Sequence, residues 1–221
     1  MIHVGLLRHG SVDGIDCFRG RTDTALSKAG HQQMWQTIES SPCQWRKIVS
    51  SPLTRCAEFA TQYAKEHALP VDVVPAFEEL NFGAWEGRTS EEIYAQDPAA
   101  LSRFWQAPLT NTPPQGEPLS EFQDRVLTAW NHIVSGDLNK PVLIITHGGV
   151  IRVILSYLLE RPVEKLLELQ VPHASLHNVT LRNAVHHTKI LHKATFTSHR
   201  ASITRHTGQP IARNEAENYS T

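Results

Sequence analysis

IHVGLLRHG, residues 2–10, is an apolar run that ends in an arginine, a histidine and a glycine. An apolar run of this length that stops at glycine is typical of a buried β-strand, which we expect over Ile2–Leu7. The break at Gly10 places Arg8 and His9 at the carboxyl end of that strand, where open α/β sheets bind their ligands. A guanidinium grips a phosphoryl group by forked, charge-assisted contacts, and a neutral imidazole can attack phosphorus. Alone, these three residues are a weak signal for which a structural histidine is the default interpretation, so the rest of the chain decides.

The composition is that of an ordinary globular protein with one sizeable domain: 221 residues, 40% of them hydrophobic and 19% charged. The formal net charge of -1 provides no field that would attract nucleic acid or an anionic membrane, and we expect neither partner. Met1–Val4 lacks the charged front of a signal peptide and no segment is long and apolar enough to span a bilayer. The three cysteines include no CxxC pair. We therefore expect a cytoplasmic protein, and a homodimer is compatible with this composition.

Segments with strand and helix patterns alternate along the chain. The further strands that we expect are Lys47–Ser50, Val71–Val74, Val142–Thr146, Leu166–Val171 and Ser175–Leu181. The expected helices run from the cap Ser27 to Glu39, from the cap Ser51 through Pro52 to His67, over Leu119–Val134, and from Gly148 to Leu159. This alternation predicts an α/β fold in which a mostly parallel sheet has helices on both faces.

Two regions depart from the alternation. Prolines break residues 89–116 into short helical pieces, and we expect the wider stretch 84–117 to form a small helical lid insertion. From Ala184 onward the pattern decays, so we expect an edge strand and then a loose tail. The predicted organisation is a single domain over residues 1–195 and a tail over residues 196–221.

Three more junctions between elements hold residues suited to phosphoryl transfer. Arg55 lies in the opening turn of a predicted helix, where the helix dipole and free N–H groups favour an anion. Glu79 precedes Leu80-Asn81-Phe82-Gly83, and His147 lies between a strand and the glycines Gly148 and Gly149. The glycines allow the backbone to approach a ligand closely. The four junctions together predict one site at the carboxyl edge of the sheet.

The chain resembles the histidine phosphatases, the superfamily that contains cofactor-dependent phosphoglycerate mutases and acid phosphatases. The resemblance covers residues 2–183 and rests on four motifs in register: Leu7-Arg8-His9-Gly10, Ser50-Ser51-Pro52-Leu53-Thr54-Arg55, Glu79-Leu80-Asn81-Phe82-Gly83 and Thr146-His147-Gly148-Gly149. It implies a phosphoglycerate mutase-like fold and a phosphatase activity that needs no metal or other cofactor.

The resemblance also implies roles for individual residues. His9 is expected to be the phosphorylated nucleophile, and Arg8, Arg55 and His147 to form the phosphate pocket. Glu79 is expected to be the proton donor and then the base for water. Glu78 is the other candidate for that role. Its alternative interpretation is a solvated carboxylate in a loop.

Within the superfamily the chain is most similar to α-ribazole phosphatases of the cobalamin pathway. The similarity rests on Phe18–Ser27 and Pro113–Leu119. Mutase-like members have an asparagine after the first motif, whereas this chain has Gly14-Ile15-Asp16 in a shorter loop. Arg19, Arg21 and Thr22 are candidates to replace the missing contact, and Arg21, Thr22 and Gly148 complete the predicted substrate-binding set.

The lid argues for a phosphatase rather than a mutase. Its cations are Arg88 and Arg103, against five acidic residues, which is a poor cradle for a bisphosphate. Its larger aromatic residues suit a flat aromatic leaving group such as the riboside of α-ribazole 5'-phosphate, or else they are the core of the insertion. These aromatic residues are Trp85, Tyr94, Phe104 and Trp105.

Other functions stay open at this point. A broad-specificity sugar or small-molecule phosphatase and a phosphoglycerate mutase share the same motifs. Two further hypotheses describe a protein that is not an enzyme. One is an inactive family member that only binds a phosphorylated ligand, and the other is a metal-binding protein that uses some of the 13 histidines, many of which lie near the carboxyl terminus. The expected partner is a small-molecule phosphomonoester.

Overall fold

The computed structural model describes residues 1–136, 140–186 and 189–199, and within them six strands form one sheet. The strands are β1 Ile2–Arg8, β2 Lys47–Ser50, β3 Val71–Val73, β4 Val142–Thr146, β5 Leu176–His186 and β6 Lys189–His199. Their spatial order is β3-β2-β4-β1-β5-β6. The first four in that order are parallel to one another, whereas β5 pairs antiparallel with β1 and β6 pairs antiparallel with β5. The predicted mostly parallel sheet is confirmed.

The strand register brings the predicted motifs to one edge of the sheet. Arg8 at the end of β1 pairs with Thr146 at the end of β4. Ser50 at the end of β2 pairs with Ile145 of β4 on one side and with Val73 of β3 on the other. Three of the four motifs begin where one of these strands ends, so parallel pairing places them side by side. The Glu79 motif follows β3 after a short 3-10 helix over Pro75–Phe77.

Helices cover both faces of the sheet, as predicted. They are α1 Lys28–Glu39, α2 Thr54–His67, α3 Ser90–Gln96, α4 Pro98–Gln106, α5 Leu119–Ser135 and α6 Gly148–Leu158. Alternate strand residues face opposite sides. Leu6 and Ile144 belong to a core with α5 and α6, whereas Leu7 and Ile145 belong to a second core with α1 and α2.

The start of α2 corrects one prediction. Ser51 is not the N-cap: the helix begins at Thr54, after Leu53, which supplies no side-chain cap. The carboxylate of Asp23 accepts hydrogen bonds from the Thr54 N–H at 2.8 Å and from its hydroxyl at 2.6 Å. The cap therefore comes from a distant loop. The Ser51 hydroxyl accepts from the Leu53 N–H at 3.3 Å and contacts the ring of His147. The predicted cap of α1 is correct, because the Ser27 hydroxyl accepts from Gly30 N–H.

The region before β5 corrects a second prediction. No strand covers Leu166–Val171; a short 3-10 helix runs over Val163–Glu168 and buries Leu166. The run of apolar residues there fits either structure, and packing against α6 selects the helical one. The strand predicted over Ser175–Leu181 is confirmed as part of β5, and the edge strand is β6. Of the predicted tail, residues 196–199 belong to β6, and residues 200–221 lie outside the described residues.

The proline-rich stretch forms α3 and α4, the short helical pieces that the sequence predicts. Thr89 and Glu92 make a capping box at the start of α3, and Asp97 caps α4, whose first residue is Pro98. Phe104 of α4 is buried and meets the ring of Trp85 edge to face at 5.5 Å. None of the helices described is both long and apolar enough to cross a membrane.

Candidate active site

His9 follows β1 and has its tautomer fixed by the backbone. The backbone N–H of His9 donates to the Thr146 carbonyl at 2.9 Å, which extends the pairing of β1 with β4 by one residue. Nδ1 of the ring lies 2.8 Å from the carbonyl oxygen of Gly10. A carbonyl oxygen can only accept, so Nδ1 bears the hydrogen and Nε2 of the neutral ring keeps its lone pair. The side chain thus presents an unprotonated nitrogen.

Arg8 and Arg55 are two cations without an anionic partner in the part of the chain described. Arg8 donates from Nη1 to the Val171 carbonyl at 2.6 Å and from Nη2 to Nε2 of His173 at 2.9 Å. Arg55, completely buried in the first turn of α2, donates to the carbonyls of Thr22 at 2.9 Å and Gly20 at 2.6 Å.

In both arginines the buried Nε atom has no hydrogen-bond partner among the described residues. A buried guanidinium donor left unpaired is costly. An oxyanion beside these groups would remove that cost, so Arg8 and Arg55 are arranged for an anion.

His147 follows β4 and is completely buried. Its ring meets that of His9 edge to face at 5.2 Å. Its Nε2 lies 2.7 Å from the Ser51 hydroxyl, and the Cys56 thiol lies 3.7 Å from the same nitrogen. His9, His147 and Ser51 follow the neighbouring strands β1, β4 and β2, and they therefore lie in one row.

Glu79 is held beside these groups by backbone amides. One carboxylate oxygen accepts from its neighbour Leu80 N–H at 3.0 Å, and the other accepts from Gly149 N–H at 2.9 Å. The loop that carries Glu79 is anchored by Arg125 of α5, which donates to the Glu79 carbonyl at 3.1 Å and forms an ion pair with Glu117 at 2.6 Å. The carboxylate is therefore fixed in orientation.

Burial and positive neighbours set the protonation of the two histidines. Burial, and then the charges of Arg55 and Arg8, lower the pKa of His9 well below the usual histidine value. Burial, Arg55, His9 and Arg8 act in the same direction on the pKa of His147. Burial also lowers the pKa of Arg8 to about 10, at which it stays charged at neutral pH. The unliganded site therefore combines neutral imidazoles with cationic guanidiniums.

A cavity of about 380 Å³ opens onto this row. Arg8, His9, Glu79 and Gly148 line it, all of which the sequence predicts as site residues. Arg55 and His147 are fully buried and do not belong to its lining. The structure thus brings together all five residues for which the sequence predicts catalytic roles, and we describe their roles below as proposals.

Arg21 and Thr22, predicted as substrate-binding residues, do not line the cavity. Arg21 forms an ion pair with Glu78 at 3.3 Å, and the Thr22 hydroxyl donates to Glu86 at 2.5 Å. Thr22 contributes indirectly, since its carbonyl holds Arg55. Because Glu78 faces Arg21, the geometry favours Glu79 as the carboxylate of the site.

The cavity also includes charged and titratable residues that were not predicted as site residues, namely Asp16, Cys17, Arg152 and His173. Arg152 lies four residues after Gly148 on α6, a spacing that puts both on one helix face and was available from the sequence. His173 lies in a loop without a motif, and no local signal identifies it. Arg19, a candidate in the sequence, does line the cavity.

The aromatic residues of the lid divide into two groups. Phe104 and Trp105 line the cavity, together with Phe18, Phe82 and Phe122 from other segments. Trp85 is buried in the core of the lid, and Tyr94 is 58% exposed, so neither lines the cavity. The lid cations also point elsewhere: Arg103 pairs with Asp97 at 3.5 Å, and Arg88 donates to Gln96.

Comparisons with known proteins agree with this geometry. Residues 4–192 match the sequence profile described as the histidine phosphatase superfamily (branch 1). The chain is 32% identical over 179 residues to the bifunctional protein Rv2228c of Mycobacterium tuberculosis (strain ATCC 25618 / H37Rv), a match that covers 77% of this chain and 48% of that protein. The chain thus spans about half the length of the first curated relatives that it matches.

Two further relatives are phosphatases with named substrates. The adenosylcobalamin/alpha-ribazole phosphatase of Escherichia coli (strain K12) is 25% identical over 175 residues, covering 75% of this chain and 83% of that protein. The structure of a mycobacterial glucosyl-3-phosphoglycerate phosphatase, Rv2419c, superposes with a TM-score of 0.75 at 25% identity, covering 90% of this chain and 98% of that one. The two relatives act on different phosphate esters.

Proposed function

The chain belongs to the histidine phosphatase superfamily (branch 1), and from this premise we propose that it hydrolyses phosphomonoesters through a phosphohistidine formed on His9. The observation that supports the proposal most is the hydrogen bond from Nδ1 of His9 to the Gly10 carbonyl. It leaves the Nε2 lone pair available in a site whose arginines have no anionic partner among the residues that the structure describes. The resulting arrangement is an activated nucleophile beside an oxyanion pocket.

The first chemical step transfers the phosphoryl group to the protein. Nε2 of His9 forms a bond to phosphorus while the bond from phosphorus to the leaving oxygen breaks. The carboxyl of Glu79, protonated at this moment, gives its proton to the leaving alkoxide, and an alcohol departs. Arg8 and Arg55 bind the equatorial oxygens, where charge accumulates in the transition state.

The second step returns His9 to its starting state. A water molecule gives a proton to the Glu79 carboxylate, and its oxygen bonds to phosphorus as the bond to Nε2 breaks. Inorganic phosphate and neutral His9 result. His147 would strengthen the pocket, because a bound dianion opposes the positive neighbours that lower its pKa and so favours its protonated, donating form.

Hydrolysis of p-nitrophenyl phosphate by the purified protein tests this function. The wild-type protein should release p-nitrophenol in the presence of EDTA, vanadate should inhibit it, and His9→Ala should abolish it. A folded wild-type protein that binds inorganic phosphate but hydrolyses no ester would instead identify an inactive phospho-ligand-binding protein.

For the physiological substrate we propose α-ribazole 5'-phosphate. Its flat benzimidazole suits a cavity wall that includes Phe18, Phe82 and Trp105, because aromatic rings stack favourably and bury much apolar area. The similarity to the alpha-ribazole phosphatase of E. coli supports this choice. A broad-specificity small-molecule phosphatase is the less specific version of the same proposal.

One observation favours a second substrate class, phosphate esters that also carry a carboxylate. Arg152 uses Nε to donate to the Leu169 carbonyl at 3.0 Å and has no ion-pair partner among the described residues. Its remaining donors lie in the cavity near Arg8, where they fit a second anionic group. The similarity to the glucosyl-3-phosphoglycerate phosphatase agrees with this class.

A single comparison separates the two classes. Specificity constants are measured for α-ribazole 5'-phosphate, 3-phosphoglycerate and glycerol 3-phosphate, the last differing from the second by lacking the carboxylate. Preference for α-ribazole 5'-phosphate supports the first proposal. A preference for 3-phosphoglycerate over glycerol 3-phosphate that Arg152→Met removes supports the second and rejects the first.

A further inference from the structure

His173 is a third histidine of the cavity that the mechanism above does not use. It lies in the loop that precedes β5, and its ring centroid is 5.4 Å from that of His9. The next residue ties this loop to the site, because the Ala174 N–H donates to the His9 carbonyl at 3.1 Å. The position of His173 is therefore fixed relative to the proposed nucleophile.

The contact between His173 and Arg8 has only one direction. A guanidinium has donors and no acceptor, so Nη2 of Arg8 donates and Nε2 of His173 accepts, at 2.9 Å. The imidazole must therefore be neutral, with its hydrogen on Nδ1. Nη1 of Arg8 donates to the Val171 carbonyl, two residues before His173. The loop thus holds both terminal nitrogens of Arg8.

These two contacts determine which side of the Arg8 guanidinium is available to a ligand. Nη1 and Nη2 each use one hydrogen on the loop, and the buried Nε is the Arg8 nitrogen without any partner among the described residues. Nε approaches Gly148 closely, so that a Cβ at that position would lie 3.3 Å from it. Gly148 begins α6, whose N-terminal amides and dipole favour an anion. The free edge of Arg8 therefore faces the proposed phosphate position.

The surroundings of His173 favour its neutral form. Desolvation in the cavity, followed by the charge of Arg8, lowers the pKa of His173 to about 4, and more distant Arg19 and Arg55 act in the same direction. Asp16 opposes them, and neutral His9 also faces the ring. At neutral pH the ring therefore stays neutral and can accept the hydrogen bond from Arg8. A histidinium could not accept it.

We propose that His173 is a positioning residue, whose neutral Nε2 anchors Arg8 so that the guanidinium offers its Nε edge to the phosphoryl group of the substrate. The inference rests on the proposed function of this cavity as a phosphate site. His173 acts through Arg8 and forms no bond to phosphorus. A glutamine, whose side-chain oxygen reaches to about the position of the imidazole Nε2 and accepts in the same way, should replace it.

The test compares His173→Gln with His173→Leu, which removes the acceptor. His31→Leu is the matched control, because His31 is a histidine outside the cavity whose ring bonds to Gln62 at 2.9 Å. The affinity for inorganic phosphate is measured by calorimetry, and the specificity constant with p-nitrophenyl phosphate. We expect His173→Leu to weaken phosphate binding and lower the specificity constant by about tenfold, the usual size of one hydrogen bond to a charged group. His173→Gln should recover most of both, and His31→Leu should match the wild type.

The outcomes distinguish this inference from the proposed function. Equal losses in His173→Gln and His173→Leu, or no loss in His173→Leu, would overturn the positioning role. If the wild-type protein binds phosphate without hydrolysing esters, the proposed function fails, while the phosphate affinities of the three variants still decide the role of His173. If the wild-type protein does not bind phosphate, both are rejected.

Discussion

The carboxylate of Glu79 accepts a hydrogen bond from the backbone N–H of Gly149 at 2.9 Å. This contact joins the loop after β3 to the first turn of α6. A Cβ on residue 149 would collide with the Glu79 carboxylate and lie 3.2 Å from the Phe122 ring. Only glycine therefore lets Glu79 approach the amide, and the proposed proton donor owes its position to the residue that follows His147-Gly148.

Gly149→Ala should impair catalysis while leaving the fold intact. Alanine is the better helix former by about 1 kcal/mol, which offsets part of the collision, so the free energy of unfolding should change by no more than about 2 kcal/mol. The displaced Glu79 should lower the specificity constant at least about tenfold, as loss of a positioned acid does. Gly136→Ala is the control, since a Cβ there meets nothing closer than 3.4 Å. Similar activity in both variants would contradict the fit described for Glu79.

Glu79→Gln should reveal its role through the leaving group. Glutamine keeps the size of the side chain but cannot give a proton to an alkoxide. The specificity constant should fall about a hundredfold or more for an alkyl phosphate and much less for p-nitrophenyl phosphate, whose phenolate needs little protonation. Glu78→Gln, at the carboxylate that pairs with Arg21, should affect neither substrate class selectively. Equal losses on both substrates in Glu79→Gln would show that Glu79 only positions the substrate.

Arg125→Met should destabilise the protein. The side chains of Arg125 and Glu117 are only 19% and 10% exposed, and Arg125 also donates to the carbonyls of Ala76, Glu78 and Glu79. Removal of Arg125 leaves the shielded Glu117 carboxylate with only the more distant Arg21, at 3.9 Å, among the described residues, which costs about 3 kcal/mol. Urea unfolding measures this loss. The double variant Arg125→Met/Glu117→Met should recover part of it, and a single variant as stable as the wild type would refute the anchoring role.

Stability should fall as the pH is lowered through the range in which free histidine titrates. Burial lowers the pKa of His177 to about 4, and those of His9 and His147 lie well below the usual value. Between about pH 6.5 and 4 the unfolded chain therefore binds protons that the folded chain does not, so the free energy of unfolding rises with pH in that window.

We expect a loss of more than about 1.4 kcal/mol between pH 7 and pH 5, the equivalent of one pKa unit for one group. Urea unfolding at a series of pH values measures it. His177→Gln should show a shallower dependence, because the buried ring, 7% exposed, no longer contributes. A stability that is independent of pH over this range would contradict the neutral state of these histidines.

The sequence predicted the core of the fold and the grouping of His9 with His147 because both depend on local patterns. Apolar runs that end in a charged motif identify β1 and β4, and parallel pairing then places His9 beside His147. The main features that the sequence could not give arise from contacts between distant segments. Asp23 caps α2 from a remote loop in place of Ser51, and His173 reaches Arg8 across 165 positions of sequence.

The charge of the cavity is another feature that depends on contacts between distant segments. The two cations of the lid, Arg88 and Arg103, make contacts inside the lid itself. The cations that line the cavity lie on β1, on α6 and in the loop that contains Arg19. Charge composition of one segment therefore did not predict the charge of the cavity, because the cavity is assembled from several segments.

The proposed function requires a covalent phosphoryl group on His9 during turnover, and a rapid-quench experiment can detect that group. The protein is mixed with a 32P-labelled phosphomonoester, quenched in alkali and digested, and the labelled peptide is sequenced by mass spectrometry. We expect acid-labile, alkali-stable label on His9 during turnover and none in His9→Ala. Label on His147, or hydrolysis by the wild-type protein without any labelled intermediate in the quenched samples, would contradict the account.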